Sequence, residues 1–191
     1  MTQGNRRTWL LLGALVGVFA LAFAGLAGAK QKTKTFSSGT ITQDIPDLGE
    51  TNYDFSLQGK KYKRSKVKDV DVGVWIDHTW DPDLDISFTG PTGRTVDLSS
   101  DNGEDNDDDY GSGTPGCGGT LTRFNDEAET LISDGVAPFA GQFKPEQRLS
   151  NLDGTRVKGT WTLTVADDEF ILAGDLKCAE LKVKYKKKKK N

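Results

Sequence analysis

The stretch "WIDHTWDPDLDI", Trp75 to Ile86, holds the only histidine of the chain, His78, together with Asp77, Asp81, Asp83 and Asp85. A histidine beside carboxylates can serve as a Ser-His-Asp relay, as part of a metal centre, or as a buried hydrogen-bonded pair that joins two strands. The relay needs a serine on a sharply shaped turn. Neither Tyr110-Gly111-Ser112-Gly113-Thr114 nor Ser37-Ser38-Gly39 has the G-x-S-x-G spacing. A single histidine also rules out a His-rich zinc site. Paired carboxylates doing acid-base work remain an alternative, a hydrolase of unknown type, but the acids cluster in loops and the sequence selects no pair.

Calcium is the second chemistry to weigh, because a hard cation takes several oxygen ligands and a loop can wrap it. From Asp97 to Asp109 the chain has seven acidic residues and no basic one. Within that run Asp105, Asp107 and Asp109 have the i, i+2, i+4 spacing that opens a calcium loop. The glycine such a loop places next is Tyr110 here, with Gly111 one step late, and no glutamate closes the motif. The run reads either as a solvated acidic loop or as an irregular cation site.

Strands must position these groups. Tyr53, Phe55 and Leu57 alternate with polar residues, and so do Val70, Val72, Val74 and Ile76, then Leu84, Ile86 and Phe88. This is the period-two pattern of half-buried strands. Gly90-Pro91-Thr92-Gly93 supplies a turn before Val96 and Leu98, so a hairpin is expected there. Trp161, Leu163 and Val165 form another strand, and Leu181, Val183 and Tyr185 the last. The phase changes between Leu176 and Ala179, which predicts a bulge near Cys178. Between Ser99 and Gly154 lies a long irregular middle with one helical turn expected near Asp126 to Ile132. The absence of α/β alternation predicts an antiparallel β-sandwich.

The 191 residues suit one domain, with 35% hydrophobic residues, 28% charged, and 22 glycines against one methionine. Residues 1–29 stand apart. Arg6 and Arg7 precede the apolar run Trp9–Leu26, and Ala27-Gly28-Ala29 has the A-x-A form of a cleavage site. This predicts an export signal, by the general or the twin-arginine route, with an uncleaved anchor as the competing reading. Its removal takes away two arginines and no acid, moving the formal charge from -3 to -5. Residues 30–35 are expected to be a flexible lysine-rich lead-in, 36–185 the folded domain, and 186–191 a basic tail.

In a secreted, extracytoplasmic protein the two cysteines, Cys117 and Cys178, are expected to form a disulfide. Closing a loop of that size constrains the unfolded chain by roughly 4 kcal/mol. The tail Lys186–Lys190 is either a solvated end or a contact for an anionic surface, and the absence of a basic domain argues against nucleic acid.

The order of the segments resembles a known family. Val67-Lys68-Asp69-Val70-Asp71-Val72-Gly73-Val74-Trp75-Ile76-Asp77-His78-Thr79-Trp80, then Asp83-Leu84-Asp85-Ile86, then Gly90-Pro91-Thr92-Gly93 are similar to the first half of the P domain (P/Homo B) of subtilisin-like proprotein convertases. Phe124-Asn125-Asp126-Glu127-Ala128, Ala137-Pro138-Phe139-Ala140-Gly141-Gln142-Phe143-Lys144-Pro145, Leu149-Ser150 and Gly159-Thr160-Trp161-Thr162-Leu163-Thr164-Val165-Ala166-Asp167 follow in the order of bacterial P domains.

The resemblance implies a jelly-roll β-sandwich that supports an attached subtilisin-like protease without supplying catalytic residues. It makes His78, Asp83, Leu84, Pro91, Gly93, Gly159, Trp161 and Asp167 structural signature positions. It also implies calcium, with Asp126 and Glu127 as the first candidate ligands and Asp101 and Asp83 behind them. Capping of a helical turn is the alternative role for Asp126. The expectation is an exported, non-catalytic accessory module. Its partner would be a separate exported protease or a cell-surface component, and membrane contact would come only through an uncleaved signal or the tail. A metal-free cell-surface structural module is the other alternative.

Overall fold

The computed structural model describes residues 30–104 and 108–187. The predicted signal at 1–29, Asp105 and Asp107 of the acidic run, and residues 188–191 lie outside the described residues. The first two residues of the tail expected at 186–191, Lys186 and Lys187, belong to the last strand, held by backbone pairing. In chain order the strands are β1 (Gln31–Ser37), β2 (Gln43–Ile45), β3 (Gly49–Leu57), β4 (Ser65–Asp77), β5 (Leu84–Thr89), β6 (Thr95–Ser100), β7 (Thr122–Phe124), β8 (Gly141–Phe143), β9 (Gly159–Asp167) and β10 (Gly174–Lys187). Four short 3-10 turns join them: η1 (Lys60–Tyr62), η2 (Asp81–Asp83), η3 (Ile132–Asp134) and η4 (Leu149–Leu152).

Two sheets form a β-sandwich. One has the order β1-β10-β4-β7-β8, with β2 also paired to β10, and the other has the order β3-β9-β5-β6. The pairs are antiparallel except for β7 with β8. The period-two residues face inward: Val70, Val72, Val74 and Ile76 of β4 meet Leu84, Ile86 and Phe88 of β5 and Trp161, Leu163 and Val165 of β9 in one buried cluster. Each such side chain contributes about 1.5–3 kcal/mol by leaving water. The expected hairpin is β5–β6, and the expected bulge is a register shift between Leu176 and Cys178.

Two further expectations are corrected. Residues 30–35 are no loose lead-in: Gln31–Ser37 is a strand paired with Lys186–Glu180 of β10. Backbone hydrogen bonds to a long neighbour hold this edge, and they need no apolar pattern. The helical turn expected at Asp126–Ile132 is also absent. That segment is irregular, and the nearest helical turn is η3.

The irregular middle is ordered by a second, smaller core on the outer face of β4. Trp75, Leu121 and Cys178 pack there, with Cys117 against them, and Cys117–Cys178 is a disulfide. The Trp75 indole Nε1 donates to Ser112 O at 3.3 Å, so the glycine-rich loop is tied to the strand beneath it. This bridge fits an oxidising, extracytoplasmic setting. No helix among the described residues is long and apolar enough to cross a membrane.

Candidate functional site

The end of β4, the η2 turn and the end of β9 meet at one buried point. His78 is 1% exposed, Asp83 6% and Asp167 2%, and ligand-type atoms of all three lie within 4.8 Å of one another. β4 ends at Asp77, so His78 starts the connection to β5, and its backbone is clamped by Asp109. His78 N donates to Asp109 Oδ1 at 3.1 Å, and Asp109 N donates to His78 O at 3.0 Å. Both ring nitrogens are engaged. Nε2 lies 3.3 Å from Asp167 Oδ2, and Nδ1 lies 3.2 Å from Trp80 N and 2.9 Å from Trp80 O.

Gly174 lets β10 pass over this ring, since a Cβ there would lie 2.5 Å from His78 Cδ2. Burial pushes the Asp83 carboxyl above the usual range, and Asp167 beside it adds to the rise while His78 opposes it. The Asp167 carboxyl is raised by burial as well, with the hydrogen bond to His78 acting the other way. Among the described residues no hydroxyl hydrogen-bonds to His78, so the ring is held by a backbone and a carboxylate.

Pro91, Gly93, Gly159 and Trp161 pack about the turn of the β5–β6 hairpin. Gly159 sits at φ 146, where a Cβ would lie 2.4 Å from Pro91 Cβ, so this strand start requires glycine. Arg156 Nη2 donates to Pro91 O at 2.5 Å, and Gly93 N closes the turn onto Gly90 O at 2.9 Å. Trp161 is fully buried, donates from Nε1 to Val157 O at 3.0 Å, and stacks on Phe88 at 5.8 Å between ring centres. Leu84 is buried beside Ile86 in the core.

The structure does not gather the four predicted calcium ligands in one place. Asp126 caps η4 from across the chain: its Oδ1 accepts from Leu149 N and its Oδ2 from Ser150 N, both at 2.8 Å. Capping is therefore its observed role, although the turn it caps is not the one that follows it in sequence. Asp101 stands among Asp85, Asp168 and Glu146, Asp83 belongs to the His78 cluster, and among the described residues neither joins a ligand group with Asp126 or Glu127. Glu127 alone joins a different group, with Asp69 and Asp71 of β4, whose carboxylate oxygens lie within 4.8 Å of one another.

Sequence reasoning missed Asp69 and Asp71. They occupy outward positions of β4, where an acid ordinarily faces water, and the only signal was two acids at i, i+2 on one strand. Burial raises the Asp69 carboxyl, helped by Asp71 and Glu127 and opposed by Lys184 and Lys182. Lys182 Nζ bonds Asp71 Oδ2 at 2.5 Å. Three carboxylates around one point form an all-oxygen donor set of the kind a hard cation takes.

No protein-family model matches the chain, and no curated protein matches it. Among solved structures the sandwich is similar to a chain of the complex between an Aeromonas sobria serine protease and its chaperone. That likeness has a TM-score of 0.50 and 15% identity over 84% of this chain. A crystal structure of the serine protease of Aeromonas sobria gives 0.49 and 17% over 81%. This chain spans 28% and 27% of those chains. Likeness at this level shows the fold.

Proposed function

We propose that the chain is an exported, non-catalytic P-domain module, stabilised by calcium, that acts by binding and supporting a separate subtilisin-like serine protease. The observation that carries this reading is the use made of the signature residues. His78, Asp83 and Asp167 close one strand junction, and Pro91, Gly93, Gly159 and Trp161 close another, so each is spent on holding the sandwich. The sequence order of these residues resembles the P domain, and a chain from a serine protease–chaperone complex shares the fold. Asp69, Asp71 and Glu127 would hold the calcium, which would supply charge neutralisation on the outer face of β4.

Thermal melts in calcium and in chelator test the metal part. A cation that binds only the folded state raises stability by about 2.7 kcal/mol at a hundred times its Kd. We expect that gain in the wild type and its loss in Asp69→Asn, and equal wild-type midpoints would remove calcium from the reading. Inactivation of an exported subtilisin-like protease, timed with and without this chain, tests the accessory role: a longer half-life is expected. Hydrolysis of peptides by the chain alone, abolished by one Asp or Glu change, would replace the reading with a hydrolase.

A further inference from the structure

The sandwich is electrically polar along its strands. β4 runs from Ser65 to Asp77, and β10 runs back antiparallel from Gly174 to Lys187. At the end where β4 finishes stand Asp81, Asp83, Asp85, Asp167 and Asp168. At the opposite end the register brings cations together: Lys186 pairs with Lys66 of β4 and with Gln31 of β1, and Lys32 lies opposite Tyr185. Lys184 stands one pair further in, between Thr33 of β1 and Asp69 of β4, Lys34 stands two pairs in, and Lys68 follows Lys66 on β4. The η1 segment that leads into β4 adds Lys60, Lys61, Lys63 and Arg64, all exposed.

With Lys187, with Lys30 before β1, and with Arg156 bridged to Lys66, this end has eleven lysines and two arginines. The ion pairs of lysine and arginine among the described residues belong to Arg123, Lys177 and Lys182, and none belongs to this group.

We propose that this basic end is a docking surface for an anionic lipid bilayer. Three observations select a bilayer over other polyanions. First, the charge is almost wholly lysine, a point charge on a flexible stem, which suits the smeared charge of a headgroup layer. Of the two arginines, Arg64 and Arg156, the second already spends its fork on Pro91 O, so little of the forked phosphate recognition used on nucleic acid is on offer. Second, the aromatic rings at this end, Tyr62 and Tyr185, are 3% and 6% exposed, so none is free to stack a base.

Third, the two charged ends are separated by the length of β4, about 40 Å at 3.3 Å per residue. A plane touching the basic end leaves the acidic end about five screening lengths away at physiological salt, beyond effective repulsion. Residues 1–29, with the apolar run Trp9–Leu26, also join the sandwich at this end, through Lys30 and β1. Bilayer docking stands independently of the protease-accessory reading.

The test is binding of the full chain to vesicles of equal parts phosphatidylglycerol and phosphatidylcholine, divided by binding to phosphatidylcholine alone, so that the apolar run cancels. Each neutralised cation weakens attraction to such a surface about fivefold, so Lys60→Gln, Lys63→Gln and Arg64→Gln together should lower that ratio roughly a hundredfold. All three side chains are exposed, and an unchanged melting midpoint verifies the fold. If that variant fails to fold, Lys32→Gln with Lys34→Gln and Lys66→Gln gives the same readout from the strands.

The proposal expects an anionic preference that falls with added salt and persists in Lys188→Gln, Lys189→Gln, Lys190→Gln. It is overturned by a ratio near one in the wild type, by an unchanged ratio in the η1 variant, or by loss of preference from the tail changes alone. Tighter binding to duplex DNA than to vesicles at equal salt would overturn it too. So would head-to-tail association of copies in place of vesicle binding.

Discussion

Two clusters of three titratable residues sit about β4, and they use the same carboxylates to opposite ends. His78, Asp83 and Asp167 are buried where strands finish, and both nitrogens of the ring are bound. Asp69, Asp71 and Glu127 lie on the outer face, with Glu127 exposed and Lys182 and Lys184 at hand. In the first, hydrogen bonds fix the ring and Asp167, with the buried Asp83 carboxyl beside them, so the group is rigid and intolerant of change. In the second, repulsion among the acids is met partly by lysine and is open to relief by an added cation. Asp71 is as buried as Asp83, at 7% against 6%, so the clusters differ in their partners and in the exposed edge at Glu127 more than in burial or residue type.

The sharpest break between them is His78→Ala. It removes the ring that bonds the buried Asp167 carboxyl, and leaving a buried hydrogen-bonding group without its partner costs about 1–3 kcal/mol. Urea denaturation measures this. A loss under about 1 kcal/mol, on the scale of exposed pairs, would mean that the strand junction does not depend on the cluster. The calcium response of the melt should survive in any His78→Ala chain that folds, because the outer face is untouched.

Asp126→Ala gives a smaller effect and a cleaner division. The carboxylate accepts the Leu149 and Ser150 amides, and deletion of such a cap costs about 0.5–2 kcal/mol. Asp126 and Glu127 are neighbours in sequence, yet only Glu127 faces Asp69 and Asp71. The variant should therefore be less stable and still respond to calcium. Loss of the response with Asp126 would move the cation from the β4 face to the η4 turn.

The sandwich was legible where one face of a strand is buried, because alternation of Val, Ile and Leu with polar residues records that burial directly. It was not legible in β1, whose Lys32, Thr33 and Lys34 are exposed and are held by backbone pairing to β10. β7 and β8, at three residues each, are too short to show a period, and their parallel pairing depends on chain far from either. At the site, His78, Asp83 and Asp167 were readable as an ordered pattern of residues. Asp69 and Asp71 were not, since their convergence with Glu127 exists only once β4 and the chain after β7 are side by side.

The pH dependence separates the clusters most finely. Asp83, Asp167 and Asp69 all have carboxyls raised in the folded protein, with burial the largest cause in each. A raised carboxyl binds its proton more tightly folded than unfolded. Its contribution to stability is full below the unfolded value of 3.8 and is lost as pH rises through the raised folded value. Stability in chelator should therefore increase as pH is lowered from neutral toward the carboxylate range. Asp83→Asn should flatten that increase, and so should Asp69→Asn. Calcium tells the two apart: by favouring the ionised outer acids it should remove the part of the slope that Asp69 supplies and leave the part that Asp83 supplies. A slope that calcium leaves whole would place Asp69 outside any cation site, and one that calcium abolishes would draw Asp83 into it.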